Sequence, residues 1–492
     1  MSPLSSKILK AAINGISRSK ISLVGAIMAS VLFVVLFVSI LLDLQGIIQN
    51  PYFNFLIYLV LGPLFVFGVL LVLIGILYSR GREDIGFLTF EYLKEQISLP
   101  GHFSRIRKLI YLTSLITFVT IFVVSIVSYT AFHYTESDSF CGQFCHKVMN
   151  PELVTYRNSA HSRIPCVKCH IGAGAAWVTK AKFSGVRQMF AVALDSYSRP
   201  ISTPITALRP VRKTCEECHR PEKFHGDKLY VKDKFLPDQN NTHVQTVMLM
   251  KIGSGGYSGR KANGIHWHVS ENIKVLYKSD AANPRDISQV TMVGPDNKKV
   301  IYSKAVERDK SGSASFADAP RKEKVRLMDC MDCHNRPTHI FLSPDEALDQ
   351  KLLTDTIPRK MPYIKRQALA AINRKYASDE LARQGIAKEL RGWYQRNYPD
   401  LVKQDKGMLD KAVKGVQDAY AENVFPGMKI GWGTYENFIG HKDGGGCFRC
   451  HGGLHKTDAG KVIPNGCDVC HVILAEDKPA PDVIRLLTSS GN

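Results

Sequence analysis

Three long apolar runs open the chain, at residues 21–42, 53–79 and 109–132, each uncharged over enough length to cross a hydrocarbon core of about 30 Å as a helix. A buried core helix is the ordinary alternative for one such run, but three of them precede residue 135 and none follows. A cleaved signal peptide fits the first run poorly, because it is too long and a second run follows directly. The pattern therefore predicts a three-helix membrane anchor. Further on it changes twice. Short β-type runs occupy residues 244–252 and 273–277, and Gly294, Pro295, Asp296 and Asn297 form a turn signal before KKVIYS, predicting a small β-rich insertion. From Ser343 the period becomes helical: Ser343, Pro344 and Glu346 read as N-cap, first-turn proline and capping-box glutamate. Ile386, Leu390, Trp393 and Tyr394 then share one helix face, which reads as core rather than as a cofactor contact.

Charge orients the anchor. Lys7, Lys10, Arg18 and Lys20 precede the first run, Arg80, Arg82, Lys94, Arg105, Arg107 and Lys108 lie between the second and third, and residues 43–52 carry no basic side chain. The positive-inside rule makes 1–20 a cytoplasmic arm and delivers everything after residue 132 to the outer face of an inner membrane, the periplasm. Across the 492 residues, 64 Lys and Arg against 44 Asp and Glu leave a net charge of +20, which would ordinarily suggest nucleic acid or an anionic membrane. Export excludes nucleic acid as a partner. With 45% hydrophobic residues the chain is also no disordered polymer.

The twelve cysteines change the picture most, since every one falls into a pair. Five pairs have the form C-x-x-C-H: Cys166, Cys169 and His170; Cys215, Cys218 and His219; Cys330, Cys333 and His334; Cys447, Cys450 and His451; Cys467, Cys470 and His471. This is the attachment spacing of c-type haem, in which two thiols add across the vinyl groups of one porphyrin and the adjacent histidine ligates iron. Cys141 and Cys145 have three residues between them but keep His146 directly after, so the extra residue must bulge. Zinc sites and structural disulfides compete as readings, yet neither gives a reason for a histidine after the second thiol of all six pairs. Six covalently bound c-type haems are expected, about a dozen propionates then offset much of the positive charge, and residues 133–492 provide 60 residues per haem.

His161, His266, His268, His339, His441 and His455 are the candidate distal ligands, ahead of His225 and His243. Any one of them could be an ordinary packed or surface histidine, but as a group their supply matches the demand of bis-histidine haems. Met149, three residues after His146, is either a thioether ligand of the first haem or a packing methionine. From Phe132 to Cys141 the chain can span at most about 3.6 Å per residue, which holds that haem close to the membrane face. The expected organisation is thus a mainly α and irregular haem-packed exported domain behind the anchor. Its parts are 133–225 with the first three motifs, a β-rich insertion at 226–325, 326–425 with the fourth motif and the helical segment, 426–476 with the last two motifs, and a tail at 477–492.

From the third apolar run to about His225, the motif with its nearby methionine, SAHSRIPCVKCH and TCEECH resemble the NapC/NirT/NrfH family of membrane-anchored multihaem quinol dehydrogenases. Over its full length, with GIHWH, MDCMDCHNRPTH and GCFRCH, the chain is similar to the ImcH-type inner-membrane cytochromes of metal-reducing bacteria. The resemblance implies oxidation of menaquinol from the membrane pool and release of electrons to periplasmic cytochromes or a reductase, in anaerobic or extracellular respiration. It also implies a quinol pocket beside the first haem with a lysine downstream of the second motif. Lys182 is the closest match, Lys180 its rival, and Asp195 the nearest acid, further along than the family pattern places it. Three spans and six haems depart from the family's single-span, four-haem pattern. A terminal reductase of a small oxyanion or metal ion, and a haem scaffold that docks a partner reductase, are the competing functions, and homo-oligomerisation is left open.

Overall fold

The computed structural model describes residues 19–44, 53, 56–79, 103–172, 175–203, 210–220, 223, 226–254, 256, 262–280, 283, 285–305, 323–442 and 445–489. It divides into two compact units, residues 1–149 and 150–492.

In the first unit the apolar runs are helices: α1 (Lys20–Leu44), α2 (Gly62–Ser79), entered through a π-helical turn at Leu56–Leu61, and α3 (Phe103–Thr135). All three are long and apolar enough to span a membrane. Between spanning helices there is no water to expel, so close backbone approach through small residues drives their association. A Cβ at Gly25 would meet the Gly68 carbonyl at 2.6 Å, and one at Gly75 would meet Ser22 Oγ at 2.3 Å. Ser22 Oγ also donates to the Val72 carbonyl at 3.1 Å. Leu36, Ile57, Tyr58, Phe65 and Val127 form the small core where α3 joins the pair. A π-helical turn at Ser139–Phe144 then leads into α4 (His146–Arg157).

The second unit begins with three helices of unequal length, α5 (Cys166–His170), α6 (Ala175–Ala193) and α7 (Val211–Cys215). The strands follow: β1 (Lys228–Phe235), β2 (His243–Met250), β3 (Lys274–Asp280), β4 (Ile287–Val293), β5 (Lys299–Lys304) and β6 (Glu323–Leu327). The turn expected at Gly294 closes the β4–β5 hairpin, with Gly294 N–H donating to the Lys298 carbonyl at 3.0 Å. The β-rich region is not self-contained. β7 (His455–Lys456) completes a five-stranded sheet in the order β6-β3-β4-β5-β7, and β8 (His471–Lys478) a three-stranded one in the order β1-β2-β8. Both strands come from the segment of the last two motifs. An edge strand offers unpaired backbone groups, and pairing with a distant segment covers them.

The helical segment comprises α8 (Pro344–Leu353), α9 (Ile364–Ile372), α10 (Asp379–Asn397), α11 (Pro399–Gln404) and α12 (Lys406–Ala421). Ser343 and Glu346 form the expected capping box at the start of α8. Leu348, Ile364, Ile386, Leu390, Tyr394 and Val416 lie in one continuous core, with Trp393 packed against it. The end of β1 enters this core: Phe235 is fully buried in it, and its N–H donates to Asp349 Oδ1 at 2.9 Å. The same oxygen accepts from Lys365 Nζ at 2.5 Å, so the buried ammonium is paired.

Candidate functional site

Each regular motif is one tight turn. The histidine N–H bonds the carbonyl of the first cysteine at 2.8 Å for His219 to Cys215 and His334 to Cys330, and at 2.9 Å for His451 to Cys447. Such a turn gathers the two thiols and swings the histidine away from them. In the irregular motif the π-helical turn holds Cys141 and accommodates the extra residue before Cys145, which is the form the expected bulge takes. His146 opens α4, and Met149 is half-buried one turn later. No two of the twelve cysteines are joined in a disulfide. Among the described residues no three His, Cys, Asp or Glu side chains converge on a metal-sized site.

Histidines from other parts of the chain stand opposite the motif histidines. Ring centroids are 6.2 Å apart for His170 and His339, 5.9 Å for His219 and His161, 5.7 Å for His451 and His268, and 6.1 Å for His471 and His441. With iron–nitrogen bonds near 2 Å, two imidazoles across one iron have centroids about 6 Å apart. His266 is near enough to His334 for a charge there to disfavour protonation of His266.

The hydrogen bonds of these rings decide which nitrogen is available. Nδ1 faces a backbone carbonyl in His161 (Pro337, 3.1 Å), His339 (Glu152, 3.0 Å), His268 (Ile265, 2.8 Å) and His451 (Pro464, 2.5 Å). A carbonyl only accepts, so Nδ1 carries the proton and Nε2 presents its lone pair, the arrangement a metal-ligating imidazole needs. Burial holds His170, His266, His268 and His334 below the usual imidazole range and takes His339 down to about 4, which keeps all five neutral.

His455 is placed differently. It is buried on β7 with Nε2 bonded to the Ile287 carbonyl at 2.9 Å, so the nitrogen a distal ligand would use holds a proton for the sheet. His243 likewise bonds Asp233 Oδ1 through Nε2 at 2.7 Å. His225 lies outside the described residues.

The motifs neighbour one another in chain order. Cys169 lies beside Cys218, the Cys215 and Cys330 thiols hydrogen-bond each other, and Cys333 lies beside Cys447 and Cys450. Cys447 in turn lies beside Cys470. The fourth and fifth motifs are also tied through residues inside them: Tyr277 donates to Asp332 Oδ1 at 2.5 Å, and Arg449 donates to the Asp332 carbonyl. Arg449 stacks on Phe438 at 4.0 Å. The sequence held no signal for the carbonyls of Pro337, Glu152, Ile265 and Pro464, because backbone acceptors belong to every residue type.

Lys180 and Lys182 lie on α6, Lys180 over the Trp177 ring at 5.4 Å and Lys182 half-buried. Asp195 follows the helix in the left-handed region, φ 51°, and its carboxylate pairs with Arg199.

Comparison with known proteins places these features. Residues 104–203 match the model of the NapC/NirT cytochrome c family, N-terminal region. The chain is similar to the cytochrome c-type protein ImcH of Geobacter sulfurreducens, with 38% identity over 458 residues, 93% of this chain and 88% of that protein. No solved structure matches.

Proposed function

The chain belongs to the NapC/NirT-type cytochrome c family, to which its kinship with ImcH over nearly its whole length assigns it, and on that premise we propose that it is a menaquinol dehydrogenase of the inner membrane. Electrons leave it for a periplasmic cytochrome or reductase. Six covalently bound c-type haems supply the one-electron chemistry, and the protein anchors, ligates and spaces them. In this reading the N-terminal arm is cytoplasmic and the motif-bearing region periplasmic.

The observation that carries the proposal is the set of opposed histidines. Cys166 and Cys169 would hold a haem with His170 and His339 as its histidine pair, Cys215 and Cys218 one with His219 and His161, and Cys330 and Cys333 one with His334 and His266. Cys447 and Cys450 would hold one with His451 and His268, and Cys467 and Cys470 one with His471 and His441. Haems held by two histidines would supply electron transfer and not reduction of an oxyanion. For Cys141 and Cys145, His146 or Met149, which share one face at the start of α4, would supply one ligand. The neighbouring thiols order the five regular sites as a row from the second motif to the sixth. Lys182, with Lys180 as alternate, supplies the cation that binds the quinol oxygen. Asp195, engaged by Arg199, is the weaker proton acceptor.

The test is reduction of the purified full-length holoprotein by a menaquinol analogue in detergent, followed through the haem absorption bands. Pigments that stay oxidised overturn the quinol reading. Lys182→Ala is expected to slow reduction by roughly tenfold to a hundredfold, the worth of one charged hydrogen bond, with haem content unchanged. Unaltered kinetics would remove Lys182 from the site.

A further inference from the structure

α6 carries an apolar stripe that nothing in its unit covers. Phe183, Val186, Phe190 and Leu194 recur at helical spacing on one face and are 75%, 52%, 64% and 75% exposed. Leu194 lies just past the last helical residue but keeps the helical bond, its N–H donating to the Phe190 carbonyl at 2.9 Å. In a water-soluble surface such a row is a liability, and its rim tells what it suits.

The helix Ala175–Ala193 contains Lys180, Lys182 and Arg187 and no acidic residue. At about 100° per residue, Lys180 and Arg187 fall on one flank of the stripe and Lys182 on the other. Cations at both margins of an apolar face are what an interfacial helix needs: the rings and branched chains enter the acyl region, while the long basic side chains reach back to the headgroups. The chain is also held at a bilayer by its three apolar helices, so the entropic cost of bringing α6 to lipid is largely met already.

We propose that α6 lies in the lipid–water interface of an anionic leaflet, with Phe183, Val186, Phe190 and Leu194 inserted and Lys180 and Arg187 on phosphate groups, Lys182 being left to the quinol. This contact does not depend on which quinol is oxidised, or on whether any is.

The experiment places the photoreactive amino acid benzoylphenylalanine at Phe190 or at Phe183, a substitution that keeps an aromatic ring, and at Gln188, which is exposed on the far side of the helix. The full-length holoprotein is embedded in nanodiscs of phosphatidylethanolamine and phosphatidylglycerol, irradiated and weighed intact. A gain of one phospholipid mass is expected from the Phe190 and Phe183 positions and none from Gln188. Replacing phosphatidylglycerol by phosphatidylcholine is expected to lower the adduct yield severalfold. Crosslinks to a second copy, to haem or to another segment of the same chain, an absence of lipid adducts, or equal yields in neutral and anionic discs would each overturn the proposal.

Discussion

The helical segment from Ser343 to Val424 and the segments that carry the thiol motifs follow different rules of folding. The first has its own core: Leu348, Leu352, Ile364, Ile372, Ile386 and Tyr394 are essentially inaccessible, and its helices run from 6 to 19 residues with side-chain caps at Ser343, Ser378 and Asp405. The second has short turns. Cys330–Asp332 and Cys467–Val469 are three residues long, Phe448–His451 four, and none of these has a buried apolar residue. A single helical turn cannot pay its own nucleation cost in water. What the difference teaches is that the helical segment is held by side chains encoded along it together with Phe235 of β1, whereas the motif segments wait for a group that the polypeptide does not encode.

The largest effect that can break this comparison comes from withholding haem. In a host without the attachment machinery, the full chain is expected to lose protease resistance across residues 150–220 and 425–478 while a fragment close to 343–424 survives limited digestion with its helical circular dichroism. Mass spectrometry of the surviving peptides reads the outcome. Digestion of the helical segment at the same rate would show that it, too, depends on the cofactors.

A smaller effect sharpens the other side. Burial raises the Asp349 carboxyl pKa, yet this side chain holds both Lys365 and the Phe235 N–H, so Asp349→Ala leaves an ammonium that is only 1% exposed with Asp345 Oδ1, at 3.3 Å, as its remaining carboxylate. Removing one partner of a buried pair costs about 3–5 kcal/mol where no other partner remains, and less is expected here because Asp345 stays. Chemical unfolding followed by helical circular dichroism should show that loss, while the haem absorption spectrum stays that of the parent. A spectral change of similar size would mean that the two regions are not separately held.

The two regions also differ in how far the sequence disclosed them. The capping box at Ser343 and the face shared by Ile386, Leu390 and Tyr394 are local patterns, readable because a helix relates residues three and four apart. The thiol motifs were equally local. Their facing partners were not: His161 stands opposite His219, and His339 opposite His170, on the other side of some 170 residues. Residue type nominated six histidines, but only the fold separates His455, whose Nε2 is committed to Ile287, from the five that face a motif. The β-rich insertion shows the same limit, since its strands were visible in alternation while the two that finish its sheets lie well over 100 residues downstream.

The subtlest expectation concerns ring planes and leaves stability untouched. When the two imidazoles of a low-spin ferric haem are parallel, their π orbitals act along one direction and separate two iron d orbitals. Perpendicular rings cancel that separation, and the paramagnetic resonance signal becomes strongly axial with a very large principal g value. The rings of His268 and His451 cross at 81° and those of His161 and His219 at 76°, whereas His441 and His471 lie within 25° of parallel. The oxidised holoprotein is therefore expected to show both kinds of signal. His441→Met should remove a rhombic component and spare the large-g ones, and His455→Ala should alter neither, because its imidazole is bonded to the sheet. Loss of a large-g signal in the His441 variant would mean that this histidine serves a different motif from that of His471. Only the pairing would then need revision, since the contrast between a self-packed helical segment and cofactor-dependent turns rests on burial and element length.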